Sequence, residues 1–257
     1  MTAVVATSID EACALLAETP ERELLAGGTD FMVEVNYRHR RPREIVVIDR
    51  IPELTRWSRD GDEVRIGAGV TYREMERSGL GTLVPALAQA ARTVGSPQIR
   101  NAGTLGGNLG TASPAGDTLP VLMALDAVVE VRSRAGTREL AVDELIVGVK
   151  RTTLEPGELI EAVRVPVASG PQEFLKIGPR NAMVISVASL ALVVDSAGRT
   201  IGVGLGAVNA VPTRAAEAED SVVEHIDWAS ASVAPDSAAE FGRRCAAAAS
   251  PIDDHRS

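Results

Sequence analysis

The chain has 257 residues, enough to bury a sizeable core and to form one large or two modest domains. Its content of 45% hydrophobic and 24% charged residues is typical of a folded globular protein and excludes a disordered one. A net charge of −9 disfavours a nucleic-acid-binding surface, so any bound anion must be held by backbone N–H groups or by a few placed cations.

Cysteine and histidine spacing indicates no metal site in this chain. The two cysteines form no C-x-x-C pair, and the three histidines lack ligand spacing. We interpret Cys13 and Cys245 as small buried apolar residues, and we assign no role to His39, His225 and His255. No apolar run reaches the length of a membrane span and no signal-peptide pattern is present, which predicts a cytoplasmic protein.

Residues 1–53 are predicted to form a small α/β unit. Ser8 and Glu11 have the spacing of a capping box, and Pro20 ends the helix that follows. A strand at residues 23–26 leads into a glycine pair and a helical stretch. A second strand at residues 44–49 is a continuous apolar run, typical of burial on both faces.

Residues 54–168 are predicted to contain two hairpins, several helices and a long loop. Asp60-Gly61 and Ala135-Gly136 mark the hairpins, and Thr71 begins a helix with a second capping-box pattern. Helices are expected at residues 82–93 and 118–125, and a strand at residues 159–165. The segment at residues 95–116 is rich in Gly, Asn, Ser and Pro, which predicts a long functional loop.

A domain boundary is expected at residues 167–171, which carry Pro, Ser and Gly. Beyond it, residues 183–195 and 200–208 are predicted to form an apolar hairpin around Ala197-Gly198. Helices at residues 213–225 and 236–249 complete an α+β chain. Gly204-Leu205-Gly206 lies inside the apolar strand, where it indicates tight packing or a bulge.

Paired glycines follow the first predicted strand, in the run Ala26-Gly27-Gly28-Thr29-Asp30. Glycine allows positive φ and lets a backbone approach a ligand closely. Successive N–H groups in such a turn form an anion-binding concavity, which suits a pyrophosphate in an acidic protein. An ordinary strand-to-helix turn is the alternative interpretation of the same pattern.

The second glycine-rich segment offers a wider range of hydrogen-bonding groups. Gly106-Gly107 is accompanied by Thr104, Asn108, Thr111 and Asp117. Bare N–H groups, hydroxyls, an amide and a carboxylate together suit a ligand that has both phosphates and a polyol. The Rossmann and P-loop fingerprints and the G-x-S-x-G elbow are missing, which disfavours those enzyme classes.

These residues resemble the FAD-binding medium subunit of the xanthine dehydrogenase and carbon monoxide dehydrogenase group. The resemblance extends over essentially the whole chain. Its most specific motif is R-N-x-G-T-x-G-G-N at residues 100–108 followed by S-P-x-x-D at residues 113–117. Weaker matches lie at residues 24–30, 174–180 and 206–208.

The resemblance implies an α+β fold in two domains. Residues 1–168 would form an FAD-binding domain of the vanillyl-alcohol-oxidase or PCMH type, divided into subdomains at residues 1–53 and 54–168. Residues 169–257 would form a small C-terminal α/β domain of the carbon monoxide dehydrogenase flavoprotein type.

The resemblance also implies which residues contact non-covalent FAD. The two glycine-rich runs would line the pyrophosphate, Thr111 and Asp117 would hold hydroxyls, and Ile185 would pack against the isoalloxazine ring. The predicted cofactor-binding residues are Leu25, Ala26, Gly27, Gly28, Thr29, Asp30, Thr104, Leu105, Gly106, Gly107, Asn108, Thr111, Asp117, Ile160, Lys176 and Ile185.

Other interpretations of Lys176 and Ile185, and of Arg180 in the match at residues 174–180, stay open. Lys176 and Arg180 also fit solvated charges at the head of a strand, and Ile185 fits an ordinary core residue. Relatives commonly carry an acidic residue where this chain has Val184. They also continue with a further helix after the segment resembling residues 249–257, so we expect the C-terminal domain to lack an element or to be covered by a partner.

The implied partners are a large molybdenum subunit and a small 2Fe–2S subunit, in a dimer of heterotrimers. The molybdenum cofactor and the iron–sulfur clusters would lie only in those partners. Electrons would pass from the 2Fe–2S subunit through FAD to an external acceptor, so no catalytic acid or base is expected here. The substrate and the acceptor are not specified by this chain.

Two alternative functions remain. A self-contained FAD oxidase would normally need a larger substrate-binding domain than the residues after Val165 provide. A non-catalytic assembly or scaffold protein would keep the fold without FAD, which the intact glycine pairs, Asn108 and Asp117 disfavour.

Overall fold

The N-terminal unit is a three-stranded parallel sheet flanked by two helices. A computed structural model describes residues 2–252 of the chain; the predictions at residues 253–257, including His255, lie outside the described residues. The strand order is β1-β3-β2, with every pairing parallel. The elements are β1 (Thr2–Val5), α1 (Ile9–Glu18), β2 (Glu23–Leu25), α2 (Phe31–Asn36) and β3 (Glu44–Val47).

The predicted start of α1 is confirmed by its cap. The Ser8 hydroxyl accepts a hydrogen bond from the Glu11 N–H at 3.1 Å, and the Glu11 carboxylate accepts one from the Thr7 N–H at 2.7 Å. Strand β1 was not predicted. It has an exposed side-chain pattern, and its register is defined only by pairing with the distant β3.

The middle of the chain forms a five-stranded antiparallel sheet of order β4-β5-β10-β6-β7, with helices between β5 and β6. A 3-10 helix (Pro52–Thr55) precedes it. The elements are β4 (Trp57–Asp60), β5 (Glu63–Gly67), α3 (Tyr72–Arg77), α4 (Leu80–Leu83), α5 (Pro85–Thr93), α6 (Pro97–Ala102), α7 (Leu105–Thr111), α8 (Leu119–Ala124), β6 (Val128–Ser133), β7 (Gly136–Ala141), α9 (Val142–Leu145), β8 (Ile146–Gly148), β9 (Arg151–Thr152) and β10 (Leu159–Pro166).

The predicted long loop at residues 95–116 is wrong, because most of it folds into α6 and α7. Ser96 caps α6 by accepting from the Ile99 N–H, and Thr104 caps α7 by accepting from the Gly107 N–H. Each cap satisfies one of the donors that a helix start leaves free. Two short capped helices therefore replace the single glycine-rich loop.

The last part of the chain is a four-stranded antiparallel sheet of order β11-β12-β13-β14. The predicted strand at residues 183–195 begins only at Ala188, and residues 178–187 belong to no helix or strand. The elements are β11 (Gln172–Ile177), β12 (Ala188–Asp195), β13 (Thr200–Gly206), β14 (Thr213–Arg214), α10 (Ala216–Val223), β15 (Ile226–Asp227), β16 (Ser232–Val233) and α11 (Pro235–Ala247).

Strand β13 packs directly against α8, which joins the last sheet to the middle of the chain. A Cβ added to Gly202 would lie 1.9 Å from the Ala124 carbonyl oxygen, and one on Gly204 would lie 1.8 Å from that of Pro120. The predicted tight packing at Gly204 is therefore confirmed, because only a bare backbone fits there.

The main hydrophobic core extends across this contact. It includes Phe174 of β11 and Ala191 of β12 together with residues of α5, α8 and the five-stranded sheet. A second cluster lies on the other side of the last sheet, under α10 and α11. None of the helices in residues 2–252 is long and apolar enough to cross a membrane.

Candidate functional site

The first glycine turn joins β2 to α2 and carries unpaired N–H groups. Gly28 has φ of +70°, a conformation that glycine adopts without the cost that a Cβ imposes. Its carbonyl accepts from the Met32 N–H at 3.0 Å. The amides of Gly27, Gly28, Thr29 and Asp30 donate to no group among the described residues. We call this turn, residues 26–30, the cradle, because such N–H groups suit an anion.

The cradle lies against the second glycine-rich segment. A Cβ on Gly27 would lie 1.6 Å from the Ala102 carbonyl oxygen and 3.1 Å from the Gly103 nitrogen. The two backbones are therefore in direct contact, which requires glycine at this position. The structure thus brings the two segments together, as a shared cofactor site requires. Leu25 pairs with Val47 in the parallel sheet and so orients the cradle at a strand end.

The prediction of bare N–H groups at Gly106-Gly107 is wrong. The Leu105 N–H donates to the Val70 carbonyl at 3.0 Å, the Gly106 N–H to the Ala68 carbonyl at 2.8 Å, and the Gly107 N–H to the Thr104 hydroxyl. These bonds fasten the start of α7 to the chain after β5. The free N–H groups lie in the cradle instead.

Gly106 is required by packing within the protein. Its added Cβ would lie 2.5 Å from the Cβ of Ala68, whereas one on Gly107 would meet only the Thr104 hydroxyl, at 2.9 Å. The Leu105 side chain is completely buried, so Leu105 offers a cofactor neither its side chain nor its amide.

Asn108 ties α7 to the start of α8. Its Oδ1 accepts a hydrogen bond from the buried Thr118 hydroxyl at 2.5 Å. Thr111 ends α7, and its side chain is half-buried and makes no hydrogen bond to the described residues. The Thr111 hydroxyl is therefore a free donor and acceptor in this helix.

Asp117 sits in a buried cluster that spans both parts of the chain. Its Oδ2 accepts from Lys176 Nζ of β11 at 2.5 Å and from the Thr93 hydroxyl at 3.2 Å. Its Oδ1 accepts from the Ser186 hydroxyl at 2.6 Å. The side chains of Lys176 and Asp117 are only 9% and 5% exposed, so the interpretation of Lys176 as a solvated charge is wrong. We call Thr93, Asp117, Lys176 and Ser186 the carboxylate cluster.

The two predicted isoleucine contacts differ in exposure. Ile160 is 6% exposed and belongs to the main core, at a shift of register in β10. Ile185 is 54% exposed, so the interpretation of this residue as core is wrong. Arg180 is exposed and donates to the carbonyls of Ala182 and Met183, 3.1 and 3.2 Å away.

Tyr72 is a candidate residue that the sequence did not reveal. Its ring covers Gly103, where an added Cβ would lie only 2.6 Å away, and the residue is 5% exposed. Burial raises the pKa of the Tyr72 phenol, and the negative charges of Asp117 and Asp30 raise it further. The phenol makes no hydrogen bond to another residue in 2–252. The phenol is therefore a neutral donor, close enough to Asp30 and Asp117 for both charges to raise its pKa.

Lys150 is a cation beside the cradle and was also not predicted. Its Nζ lies 2.6 Å from Glu34 Oε1 and 3.6 Å from Asp30 Oδ2, and its N–H donates to the Ala112 carbonyl. Burial alone would lower the pKa of Lys150, but the hydrogen bond to Glu34 and the charge of Asp30 raise it overall. A permanent positive charge thus links α2 to the end of α7.

The described residues hold no group of three or more metal-ligating side chains. Cys13 and Cys245 are free and buried, in agreement with their interpretation as small apolar residues. Burial raises the pKa of the Cys245 thiol to about 11 and also raises that of Cys13, which keeps both thiols protonated. The candidate site consists of the cradle, Tyr72 and the carboxylate cluster.

This arrangement fits a dinucleotide cofactor. The free amides of the cradle supply donors for phosphates, and Thr111 and Tyr72 supply hydroxyls. A carboxylate offers about four acceptor positions, so Asp117 keeps room for one further hydroxyl beside its three partners. Contact of FAD with these particular residues stays a prediction.

Comparisons with known proteins agree with this geometry. Residues 1–168 match the family model described as the FAD binding domain in molybdopterin dehydrogenase. The nicotinate dehydrogenase FAD-subunit of Eubacterium barkeri is 35% identical over 210 residues, which cover 78% of this chain and 71% of that one. The glyceraldehyde dehydrogenase medium chain of Sulfolobus acidocaldarius is 33% identical over 224 residues, 86% of this chain and 80% of that one.

A shorter sequence match and a solved structure indicate the same family. The nicotine 6-hydroxylase medium subunit of Paenarthrobacter nicotinovorans is 38% identical over 160 residues, 62% of this chain but only 56% of the relative. A carbon monoxide dehydrogenase structure from Hydrogenophaga pseudoflava superposes with a TM-score of 0.90 at 27% identity, covering 100% of this chain and 89% of that one. The predicted α+β fold and the predicted FAD-binding domain are thereby confirmed. The chain belongs to the family of FAD-binding domains in molybdopterin dehydrogenases, as an FAD-carrying oxidoreductase subunit.

Proposed function

We propose that this chain receives electrons from a partner 2Fe–2S subunit and passes them through FAD to an external acceptor. The observation that carries the proposal is the row of unpaired amides at Gly27–Asp30, held against the second glycine-rich segment. FAD, when bound, accepts electrons one at a time and delivers them as a pair. The residues of this chain then have only to bind and orient the cofactor.

In the proposed site, different residues bind the pyrophosphate, the hydroxyls and the ring of FAD. The cradle amides and Thr29 would hold the pyrophosphate, with Lys150 as the nearby cation. Thr111 and Asp117 would hold hydroxyls of the sugar or ribityl chain. The exposed Ile185 would cover the isoalloxazine ring, and Lys176 would hold the Asp117 side chain in place.

The domain boundary at residues 167–171 belongs to the same proposal. The Val167 N–H donates to the Asp62 carbonyl, whereas Ser169 bonds the Asp195 carboxylate at the end of β12. Residues before the boundary therefore join the five-stranded sheet, and residues after it join the last sheet. We propose residues 1–168 as the FAD-binding domain, with subdomains at 1–53 and 54–168, and residues from 169 onwards as the C-terminal domain.

The proposed partners are a large molybdenum subunit and a small 2Fe–2S subunit, assembled as a dimer of heterotrimers. Support comes from relatives whose names describe an FAD-subunit or a medium chain of a dehydrogenase. We further propose that the assembly works in the cytoplasm.

The test uses the chain expressed together with its partner chains. The purified complex is reduced with limiting dithionite, and reoxidation by NAD, a soluble quinone or oxygen is followed by visible absorbance. Removing FAD should slow reoxidation by at least about tenfold with the true acceptor, and re-adding FAD should restore the rate. An FAD-free complex that reoxidises at the original rate with all three acceptors would exclude the proposed electron path. Flavin found attached covalently would favour a self-contained oxidase.

A further inference from the structure

Residues 178–187 form an exposed segment with a single buried side chain. The segment connects β11 to β12 and belongs to no helix or strand. Ile185 and Val187 are 54% and 40% exposed, whereas Ser186 between them is 1% exposed. One short polar side chain therefore points inward, between two apolar side chains that point outward.

The inward side chain ends on Asp117. The Ser186 hydroxyl donates to Asp117 Oδ1 at 2.6 Å, a length typical of hydrogen bonds from a hydroxyl to a charged carboxylate. The other oxygen of Asp117 is held by Lys176 and Thr93. Asp117 precedes α8 and Lys176 lies in β11. The position of the carboxylate is therefore fixed by other parts of the fold, independently of its hydrogen bond with Ser186.

The other hydrogen bonds of the segment stay within it or reach the end of β11. The Val187 N–H donates to the Ile177 carbonyl at 2.9 Å and closes the base of the segment. Arg180 bonds carbonyls of its own segment, and Val184 packs on Gly178. Among the hydrogen bonds in residues 2–252, only that of Ser186 connects the segment to the part before residue 169.

We propose that Ser186 is a positioning residue for the flavin ring. Through Asp117 it fixes the place of residues 183–187, and so it determines where the exposed Ile185 side chain stands relative to the isoalloxazine. This inference rests on the proposed FAD site. It adds that the Ser186 hydroxyl connects Asp117, which would bind hydroxyls of FAD, to Ile185, which would cover the isoalloxazine ring.

The experiment compares Ser186→Ala with Ser186→Thr and Ser189→Ala in the full chain. Ser186→Thr keeps a hydroxyl at the same position. Ser189 is 6% exposed and lies in β12 opposite Lys176 and Gly206, so its truncation controls for loss of a buried hydroxyl without loss of the Asp117 bond.

The first readout needs no flavin. Trypsin should cut after the exposed Arg180, within the segment, several-fold faster in FAD-free Ser186→Ala than in the wild type, because the anchor is lost. Cutting in Ser186→Thr and Ser189→Ala should stay close to the wild-type rate. The second readout is FAD titration, in which Ser186→Ala should raise the dissociation constant about tenfold and shift the visible flavin spectrum.

Two results would overturn the inference. In one, Ser186→Ala is cut at the wild-type rate and binds FAD with the wild-type constant and spectrum. In the other, Ser189→Ala changes as much as Ser186→Ala, which means general loosening of the sheet. A wild-type chain that binds no FAD would instead refute the proposed function. The trypsin result, which needs no FAD, tests the Ser186–Asp117 hydrogen bond separately.

Discussion

The Lys176–Asp117 pair shows how one residue serves both the fold and the site. Both groups are almost fully buried and come from different parts of the chain. A buried ion pair adds little net stability, but removing one partner leaves an uncompensated charge in the interior. The pair is therefore a point at which truncation of a single side chain has a large effect.

Replacing Lys176 by Met should lower the free energy of unfolding by about 3–5 kcal/mol, because the ionised Asp117 would lose its cation. Urea denaturation of the FAD-free chain measures the change. Arg180→Met is the matched control, since Arg180 is exposed and bonds only carbonyls of its own segment. The control should change the stability by less than about 0.5 kcal/mol. Equal effects of the two variants would contradict a buried, partner-dependent Lys176.

Single residues were predicted well where a local motif defines them. Ser8 and Thr71 cap helices as their spacing indicated, and the cradle glycine has the expected positive φ. Lys176 was open to a second interpretation because its partner lies 59 residues away in sequence. Ile185 looked like core because apolar pattern alone does not tell a strand from the exposed connection before it.

At the scale of elements, the glycines of β13 let a strand lie directly on a helix. Gly202 and Gly204 face carbonyl oxygens of α8, and Gly206 faces Pro120 as well. A strand normally loses stability with glycine in its interior, so these residues indicate close approach of another backbone. The contact holds the last sheet against the FAD-binding part.

Replacing Gly204 by Ala should therefore destabilise the chain by about 1–3 kcal/mol or more, since the new Cβ would overlap the Pro120 carbonyl. Gly242→Ala is the control. Gly242 lies in α11 with nothing within 4 Å of an added Cβ, so this change should raise stability by about 0.5–1 kcal/mol. Urea denaturation of both variants gives the comparison, and a harmless Gly204→Ala would contradict the packing of β13 on α8.

Most helices and strands were predictable because caps and hairpin turns are local signals. The failure at residues 95–116 has a physical cause. Glycine and asparagine disfavour helices in isolation, but α6 and α7 are stabilised by serine and threonine caps and by bonds to Ala68 and Val70. Those tertiary bonds are invisible in the composition of the segment.

At the scale of the whole molecule, the proposed site would hold an anionic cofactor in an acidic chain. The net charge is −9, and the proposed site would rely on backbone N–H groups, one buried tyrosine and two lysines, Lys150 and Lys176. Local donors of this kind act at short range and are compatible with a negative surface. The net negative charge of the chain is therefore compatible with FAD binding and with the proposed partners.

Residue patterns predicted the two-part architecture, and the family resemblance added the type of each domain. Patterns alone indicated an α+β chain with a break near residue 168, but they did not give the strand orders of the three main sheets. Sheet order depends on pairings between distant segments, such as β5 with β10, which periodicity does not encode.

FAD retention by the purified chain tests the central claim most directly. The wild type should be yellow and release about one FAD per chain on heating, without covalent flavin in the mass spectrum. Gly28→Ala should lose FAD, because a Cβ at φ of +70° disturbs the cradle. Gly61→Ala, at φ of +59° with nothing within 4 Å, controls for the backbone effect and should retain FAD. A colourless wild type that cannot be loaded with FAD, or a Gly28→Ala chain that holds FAD as tightly as Gly61→Ala, would contradict the account.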